Sequence, residues 1–191
     1  MPLQFAGTGT VAGPPPSGVT DTFDRADSAS TLNTASDGTH VWTPYLGTWG
    51  ISSNQGYCPT LSGGGGIATV DAGIRNCTVE VTLSGLTSNF SGVMVCYDGV
   101  NGIFVFRRTI LSTNRTTVNA SGLNFMVVDG VVWANGDVMK VVTAGNVVTV
   151  YHNNSLVGSA NASRLGAFLG TQHGLYTTST AHRFNDFSIV V

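Results

Sequence analysis

The sequence predicts an all-β fold, either a sandwich or a barrel, built from about a dozen short antiparallel strands. Residues that favour helices are scarce, since the 191-residue chain has a single Glu, Glu80, and a single Lys, Lys140. Val, Thr, Gly and Asn are abundant, which favours strands joined by tight turns. Turn signals recur every ~8–12 residues, and this spacing is typical of sandwiches and barrels.

The clearest strand signal is the alternation of Cys77, Val79, Val81 and Leu83 with polar residues, as in a half-buried strand. The hairpin turns are predicted at residues 98–102, 129–130, 144–146 and 153–154, with Asp129-Gly130 the strongest signal. The other strand signals lie at residues 22–23, 48–52, 67–70, 91–97, 102–108, 126–128, 131–133, 138–143, 147–151, 156–157, 174–176 and 184–190.

The first 20 residues differ from the rest of the chain. Small residues and a rigid Pro-Pro-Pro insert dominate this segment, and its first charged neighbour is Asp21. This composition predicts an extended arm over residues 1–20, followed by one β-domain over residues 21–191. The arm residues expected to make assembly contacts are Leu3, Phe5, Val11, Pro14, Pro15 and Pro16.

The charge content limits the partners of the protein. Eight Lys and Arg face ten Asp and Glu, for a formal net charge of −2. A chain with so few cations is not expected to bind nucleic acid or an anionic membrane surface. No stretch reaches the ~18 apolar residues of a membrane span, and the N-terminal residues show no signal peptide.

Three cysteines, Cys58, Cys77 and Cys96, cannot all pair within one chain. Their spacing matches no metal or redox motif. The position of Cys77 in an alternating strand favours a buried thiol, while a Cys77–Cys96 bridge across neighbouring strands is left open.

Four motifs occur in a recognisable order: Asp21-Thr22-Phe23-Asp24-Arg25, then Gly47-Thr48-Trp49-Gly50, then the hairpin over residues 140–153, and finally Phe184-Asn185-Asp186-Phe187. Together they resemble the concanavalin A-like (LamG-type) jelly-roll domain, and in particular domains in virion proteins of tailed actinobacterial phages. The resemblance implies an antiparallel jelly-roll β-sandwich over residues 21–191. In such a fold the Phe23 segment lies beside the last strand and buries Phe23, Phe184 or Phe187.

The resemblance also implies a structural role in a phage virion. The expected protein is a capsid-surface decoration protein, assembled in the host cytoplasm, that docks through its arm and a sandwich edge. Its expected partners are the major capsid protein or other virion proteins, and copies of itself in a trimer or another small homo-oligomer.

The alternative is a carbohydrate-binding or adhesion module, such as a minor tail protein or a lectin-like protein, that recognises host-surface glycans. Glycan binding needs exposed aromatic faces that stack on sugar rings. The candidate glycan-binding residues are Trp42, Tyr45, Trp133 and Tyr176, and the alternative role of each is packing within the domain.

Glycoside hydrolysis on this fold normally uses paired carboxylates. Laminarinase-like members of the family carry them on alternate residues of one strand, whereas here Glu80 is flanked by Thr78 and Thr82. The protein is therefore predicted not to be an enzyme, with no catalytic residues. No cofactor is expected apart from calcium, for which Asp21, Asp24 and Asp27 are candidate ligands by analogy with lectin-like relatives.

Overall fold

The computed structural model describes residues 18–163 and 170–191, and these form two antiparallel sheets that pack face to face. The strands are β1 (Val19–Asp21), β2 (Thr43–Leu46), β3 (Thr48–Ile51), β4 (Gly56–Thr60), β5 (Gly66–Asp71), β6 (Thr78–Ser84), β7 (Ser91–Tyr97), β8 (Ile103–Ile110), β9 (Thr113–Ala120), β10 (Leu123–Asp129), β11 (Asp137–Ala144), β12 (Val147–His152), β13 (Ser155–Asn161), β14 (Gln172–Thr177) and β15 (Arg183–Val190). Residues 18–163 and 170–191 contain no helix with the length and apolar character that a membrane span requires.

The eight-stranded sheet has the order β13-β12-β11-β6-β15-β4-β3, with β1 also paired to β15. The seven-stranded sheet has the order β10-β9-β8-β7-β14-β5-β2. The chain crosses between the sheets several times, for example from β5 to β6 and from β6 to β7. The prediction of an all-β, antiparallel jelly-roll sandwich is therefore confirmed.

The first and last strands lie side by side, as expected. Val19 pairs with Ile189 and Asp21 with Phe187. Phe23 follows β1 with a φ of 55° and is fully buried, like Phe184. The strand begins at Val19, two residues before the predicted domain boundary. The remaining arm residues, Leu3, Phe5, Val11, Pro14, Pro15 and Pro16, lie outside the described residues.

The alternation over residues 77–83 corresponds to a half-buried strand, as predicted. Val79, Val81 and Leu83 are all 0% exposed and point into the core between the sheets. The intervening polar side chains, Glu80 among them, lie on the outer face of the eight-stranded sheet. Because successive side chains of a strand point to opposite faces, this pattern predicts from the sequence alone which side of β6 faces the core.

The strand predicted over residues 131–133 is not formed. β10 ends at Asp129, and Gly130 has a φ of 89° with its amide bonded to the Asn114 carbonyl. The chain then turns inward, so Trp133 enters the core, where its indole nitrogen donates to the Thr116 hydroxyl at 2.9 Å. Burial of this indole therefore outweighs the local hairpin preference of Asp129-Gly130.

All three cysteines are free and buried. Burial raises the pKa of the Cys58 and Cys77 thiols to about 11 each. We therefore expect Ellman's reagent to detect no thiol in the native protein and three per chain after denaturation without reductant. A single reactive thiol in the denatured protein would instead indicate a Cys77–Cys96 disulfide.

Candidate functional site

The outer face of the seven-stranded sheet carries a concentration of aromatic side chains. On β8, Phe106 lies opposite Gly92 of β7, and Gly92 lies opposite Tyr176 of β14. One pleat along, Phe104 lies opposite Met94. Directly opposed residues of antiparallel strands share a face, so these side chains all point away from the core.

The rings of this face contact one another. The centroids of Phe104 and Tyr176 are 4.7 Å apart, and those of Phe106 and Tyr176 are 5.8 Å apart. Phe90, which precedes β7, stacks on Phe106 at 4.6 Å. We call these four residues, Phe90, Phe104, Phe106 and Tyr176, the aromatic face. Phe106 is only 6% exposed and supports the other three rings, which are partly exposed. Tyr176 is central to it, because its ring contacts the other three.

Two glycines keep the strands next to the aromatic face free of side chains. A Cβ at Gly92 would lie 2.0 Å from the Val105 carbonyl oxygen, and a Cβ at Gly174 would lie 2.0 Å from that of Ala68. Any larger residue would therefore collide with the neighbouring strand. Both glycines are buried, and they allow the close approach of the strands that carry the aromatic face.

A second aromatic pair lies on the same sheet, towards its β2 edge. Tyr45 is 39% exposed, and its ring meets that of Tyr97 edge-on at 4.8 Å. Gln172 pairs in register with Tyr97, and its side-chain oxygen accepts a hydrogen bond from Thr69 at 2.9 Å. Asp71 pairs in register with Gln172. Amide and carboxylate groups thus border the aromatic side chains at this end of the sheet.

The electrostatic setting of the aromatic face is cationic. The guanidinium carbon of Arg108 lies 4.8 Å from the ring centroid of Phe90, in a cation–π contact. Burial raises the pKa of Tyr176 to about 12, and the nearby charge of Arg108 opposes this rise only partly. The Tyr176 hydroxyl is therefore protonated at neutral pH and can donate a hydrogen bond.

Of the four aromatic residues predicted to bind glycans, the structure leaves two accessible. Tyr176 is central to the aromatic face, and Tyr45 lies on the same sheet. Trp42 and Trp133 are only 4% and 6% exposed, so neither can stack on a sugar, and the prediction for them is wrong. Each has its indole nitrogen satisfied inside the protein, since Trp42 donates to Asp21 at 2.7 Å and Trp133 donates to Thr116.

Sequence reasoning missed Phe90, Phe104, Phe106 and Arg108. A usable signal was present, because Phe104, Phe106 and Arg108 alternate along a single strand and must share one face. Their association with Tyr176 depends on the pairing of β7 with both β8 and β14, which the local sequence does not encode.

The predicted calcium ligands are not brought together. Asp21 is buried and its carboxylate is occupied by protein donors, including both terminal nitrogens of Arg25 at 2.6 and 2.9 Å. Asp24 and Asp27 are exposed, and Asp27 accepts a hydrogen bond from the Ser53 amide. Throughout the described ranges, no three or more His, Cys, Asp or Glu side chains form a group that could hold a metal ion.

The carboxylates of Glu80 and Asp186 lie in the other sheet. Glu80 forms an ion pair with Lys140 at 3.0 Å on its outer face, between Thr78 and Thr82 as expected. The Thr82 hydroxyl is 3.5 Å from the Asp186 carboxylate. The acidic groups of this sheet are therefore separate from the aromatic face.

No protein-family model matches the chain. No curated protein sequence matches it either. Solved structures do share its fold. The carbohydrate-binding module CBM66 from Bacillus subtilis is 18% identical, covers 78% of this chain and 90% of its own, and has a TM-score of 0.53. The β-glucanase of Bacillus licheniformis is 9% identical with a TM-score of 0.50, over 91% of this chain and 98% of its own.

A third similar structure comes from a study of the endo-acting O-glycanases with which members of the human gut microbiota initiate mucin breakdown. It is 10% identical with a TM-score of 0.52, over 90% of this chain and 97% of its own. At such identities the likeness shows the fold alone.

The prediction that this protein is not an enzyme is contradicted by these comparisons, because nearly the whole chain of a β-glucanase is formed by the same kind of sandwich. The missing carboxylates beside Glu80 do not exclude a catalytic arrangement elsewhere. The chain is therefore a jelly-roll sandwich similar in fold both to a carbohydrate-binding module and to glycan-acting enzymes.

Proposed function

We propose that this protein binds glycans through the aromatic face of its seven-stranded sheet. The observation that carries the proposal is the packing of Tyr176 against Phe90, Phe104 and Phe106 on the outer face of the sheet. The similarity in fold to a carbohydrate-binding module supports it.

The chemistry of this face suits a sugar. The C–H groups of a pyranose ring are apolar on each face and pack well on aromatic rings, while its hydroxyls need donors and acceptors at the edge. Tyr176 supplies a phenol and Arg108 a guanidinium beside the rings. Gln172 and Asp71, together with Tyr45, supply polar groups and a further ring towards β2.

The virion-decoration role stays a prediction that rests on the resemblance alone. Its docking arm lies largely outside the described residues, and no structural comparison supports a capsid partner or a homo-oligomer. Adhesion of a phage or a cell to surface glycans is compatible with the glycan-binding proposal and would use the same aromatic face.

Replacing Tyr176 by alanine is expected to weaken glycan binding at least about tenfold, or roughly 1.4 kcal/mol, because it removes the central ring. A glycan array would first identify a bound sugar, and isothermal titration would then give its affinity for wild type and variant.

The matched control is Tyr57→Ala, which removes a half-buried tyrosine from the eight-stranded sheet, where Arg183 stacks on its ring at 4.6 Å. Circular dichroism would verify that both variants are folded. Equal affinities for the wild type and Tyr176→Ala would refute the site, as would a comparable loss in the control. Reducing-sugar release from the same glycans distinguishes binding from cleavage.

A further inference from the structure

We infer that the glycan bound by the aromatic face carries a carboxylate, as in a uronic acid residue, and that Arg108 recognises this group. The inference rests on the proposed function, which places the sugar on this face, and it adds the chemical class of the ligand. The supporting observations are the position of Arg108, the lack of an acidic partner for its charge in the described part of the chain, and the low overall charge of the protein.

Arg108 belongs to the aromatic face by position. It follows Phe104 and Phe106 on alternate residues of β8, and therefore projects from the same side of the sheet. Its guanidinium lies over the ring of Phe90, which stacks on Phe106. A sugar packed on Tyr176 would have its edge next to this cation.

Among residues 18–163 and 170–191, no acidic side chain forms an ion pair with Arg108. The ion pairs found across residues 18–163 and 170–191 are Arg25–Asp21, His40–Asp37, Arg115–Asp129, Lys140–Glu80 and His152–Asp137. Arg108 takes part in none of them. Its Nε atom is also buried without a hydrogen-bond partner within the described part of the chain.

The neighbouring charges do not provide an alternative partner. Arg115 of β9 lies directly opposite Arg108, and is itself a cation. The carboxylate of Asp129 is held by Arg115 through both oxygens, at 2.6 and 3.0 Å. A ligand carboxylate at this position would therefore face the guanidinium of Arg108, and the adjacent Arg115–Asp129 ion pair would carry no net charge.

The geometry of a guanidinium favours a carboxylate in particular. Its planar fork donates two parallel hydrogen bonds to the two oxygens of a carboxylate, and stacking on Phe90 limits its orientations. The net charge of the chain is −2, so general attraction of polyanions is weak. A preference for acidic glycans must therefore come from this local cation.

The test uses oligosaccharides of galacturonate, glucuronate and mannuronate, each beside its uncharged methyl ester, together with a sulfated dextran. We expect wild-type protein to bind at least one acidic oligosaccharide about tenfold more tightly than the corresponding ester. The difference should shrink between about 50 mM and about 500 mM sodium chloride, since salt screens the ion pair.

Arg108→Gln should abolish the preference, so that its affinities for the acid form and for the ester become equal. Arg108→Lys keeps the charge but not the fork, and its acid-to-ester affinity ratio should fall between those of the wild type and Arg108→Gln. The control Arg183→Gln removes a guanidinium that stacks on Tyr57 in the other sheet, and should change neither affinity. Thermal melting would verify that each variant is folded.

The outcomes separate the two proposals. Equal binding of acid and ester that is lost in Tyr176→Ala would overturn the carboxylate inference and leave the glycan site standing. Tighter binding of the sulfated dextran than of every uronate would also overturn the carboxylate inference. If Arg108→Gln still binds the acid form more tightly than the ester, Arg108 does not recognise the carboxylate and the inference is wrong.

Discussion

Asp21→Ala is expected to destabilise the folded protein by about 3–5 kcal/mol. The Asp21 carboxylate accepts hydrogen bonds from Arg25, from the Trp42 indole, from the Ser36 hydroxyl and from the Phe23 amide. Its side chain is fully buried. Removal would leave a partly buried guanidinium and a buried indole N–H without their acceptor, and unsatisfied buried donors are costly.

Urea denaturation of wild type and variant, monitored by tryptophan fluorescence, would measure this loss. The matched control is Asp24→Ala, an exposed carboxylate in the same segment, for which we expect a change within about 0.5 kcal/mol. Asp21→Asn keeps the shape but not the charge, and should lie between the two. A change in Asp21→Ala as small as that of the control would show that the network contributes little.

The free energy of unfolding is expected to fall by about 3 kcal/mol as the pH drops from about 6.5 to about 4, because of His182. This side chain is 0% exposed, and burial together with the nearby charge of Arg107 lowers its pKa from 6.5 to about 4. Its Nδ1 is 2.7 Å from the Thr177 hydroxyl, which itself donates to the Ser179 carbonyl. This arrangement assigns the imidazole proton to Nδ1.

The other nitrogen of His182, Nε2, accepts a hydrogen bond from the Thr87 amide at 3.3 Å. A second proton at Nε2 would face that donor, so the folded state resists protonation. The unfolded chain binds the proton near pH 6.5, whereas the folded chain does so only near pH 4. The stabilisation is therefore complete above pH 6.5 and is lost as the pH falls through this window.

Denaturation curves between about pH 4.5 and about pH 7.5 would measure this dependence. His182→Gln should flatten the curve, although burial also lowers the pKa of His173, which contributes to the slope with the same sign. An unchanged slope in His182→Gln would contradict the assignment to His182.

The sequence motif that opened the resemblance has a structural explanation in this network. Asp21, Phe23 and Arg25 are spaced so that β1 delivers the carboxylate, and the turn that follows returns the guanidinium to it. The sequence indicated that these residues belong together. It did not indicate that Trp42, 21 positions away, completes the network, and for that reason Trp42 was kept as a candidate for glycan binding.

The aromatic face also combines features that the local sequence predicts with features that only the tertiary structure shows. Local alternation was sufficient to predict β6, β8 and several hairpins, because the direction of a strand side chain depends only on its neighbours in sequence. The face itself needs β8, β7 and β14 side by side, and β7 and β14 are separated by some 75 positions in the chain. Such pairings depend on the packing of the whole sandwich.

The residue patterns by themselves thus determined an all-β fold with polar and apolar residues on the expected sides of its strands, while the sandwich and the pairing of its first and last strands came from the family resemblance. Only the tertiary structure decided that both tryptophan candidates for glycan binding, Trp42 and Trp133, are core residues, and that Tyr176 is joined by Phe90, Phe104, Phe106 and Arg108. The physical reason is that alternation is a property of each strand, whereas burial and the neighbours of a side chain depend on which strands are paired and in which register.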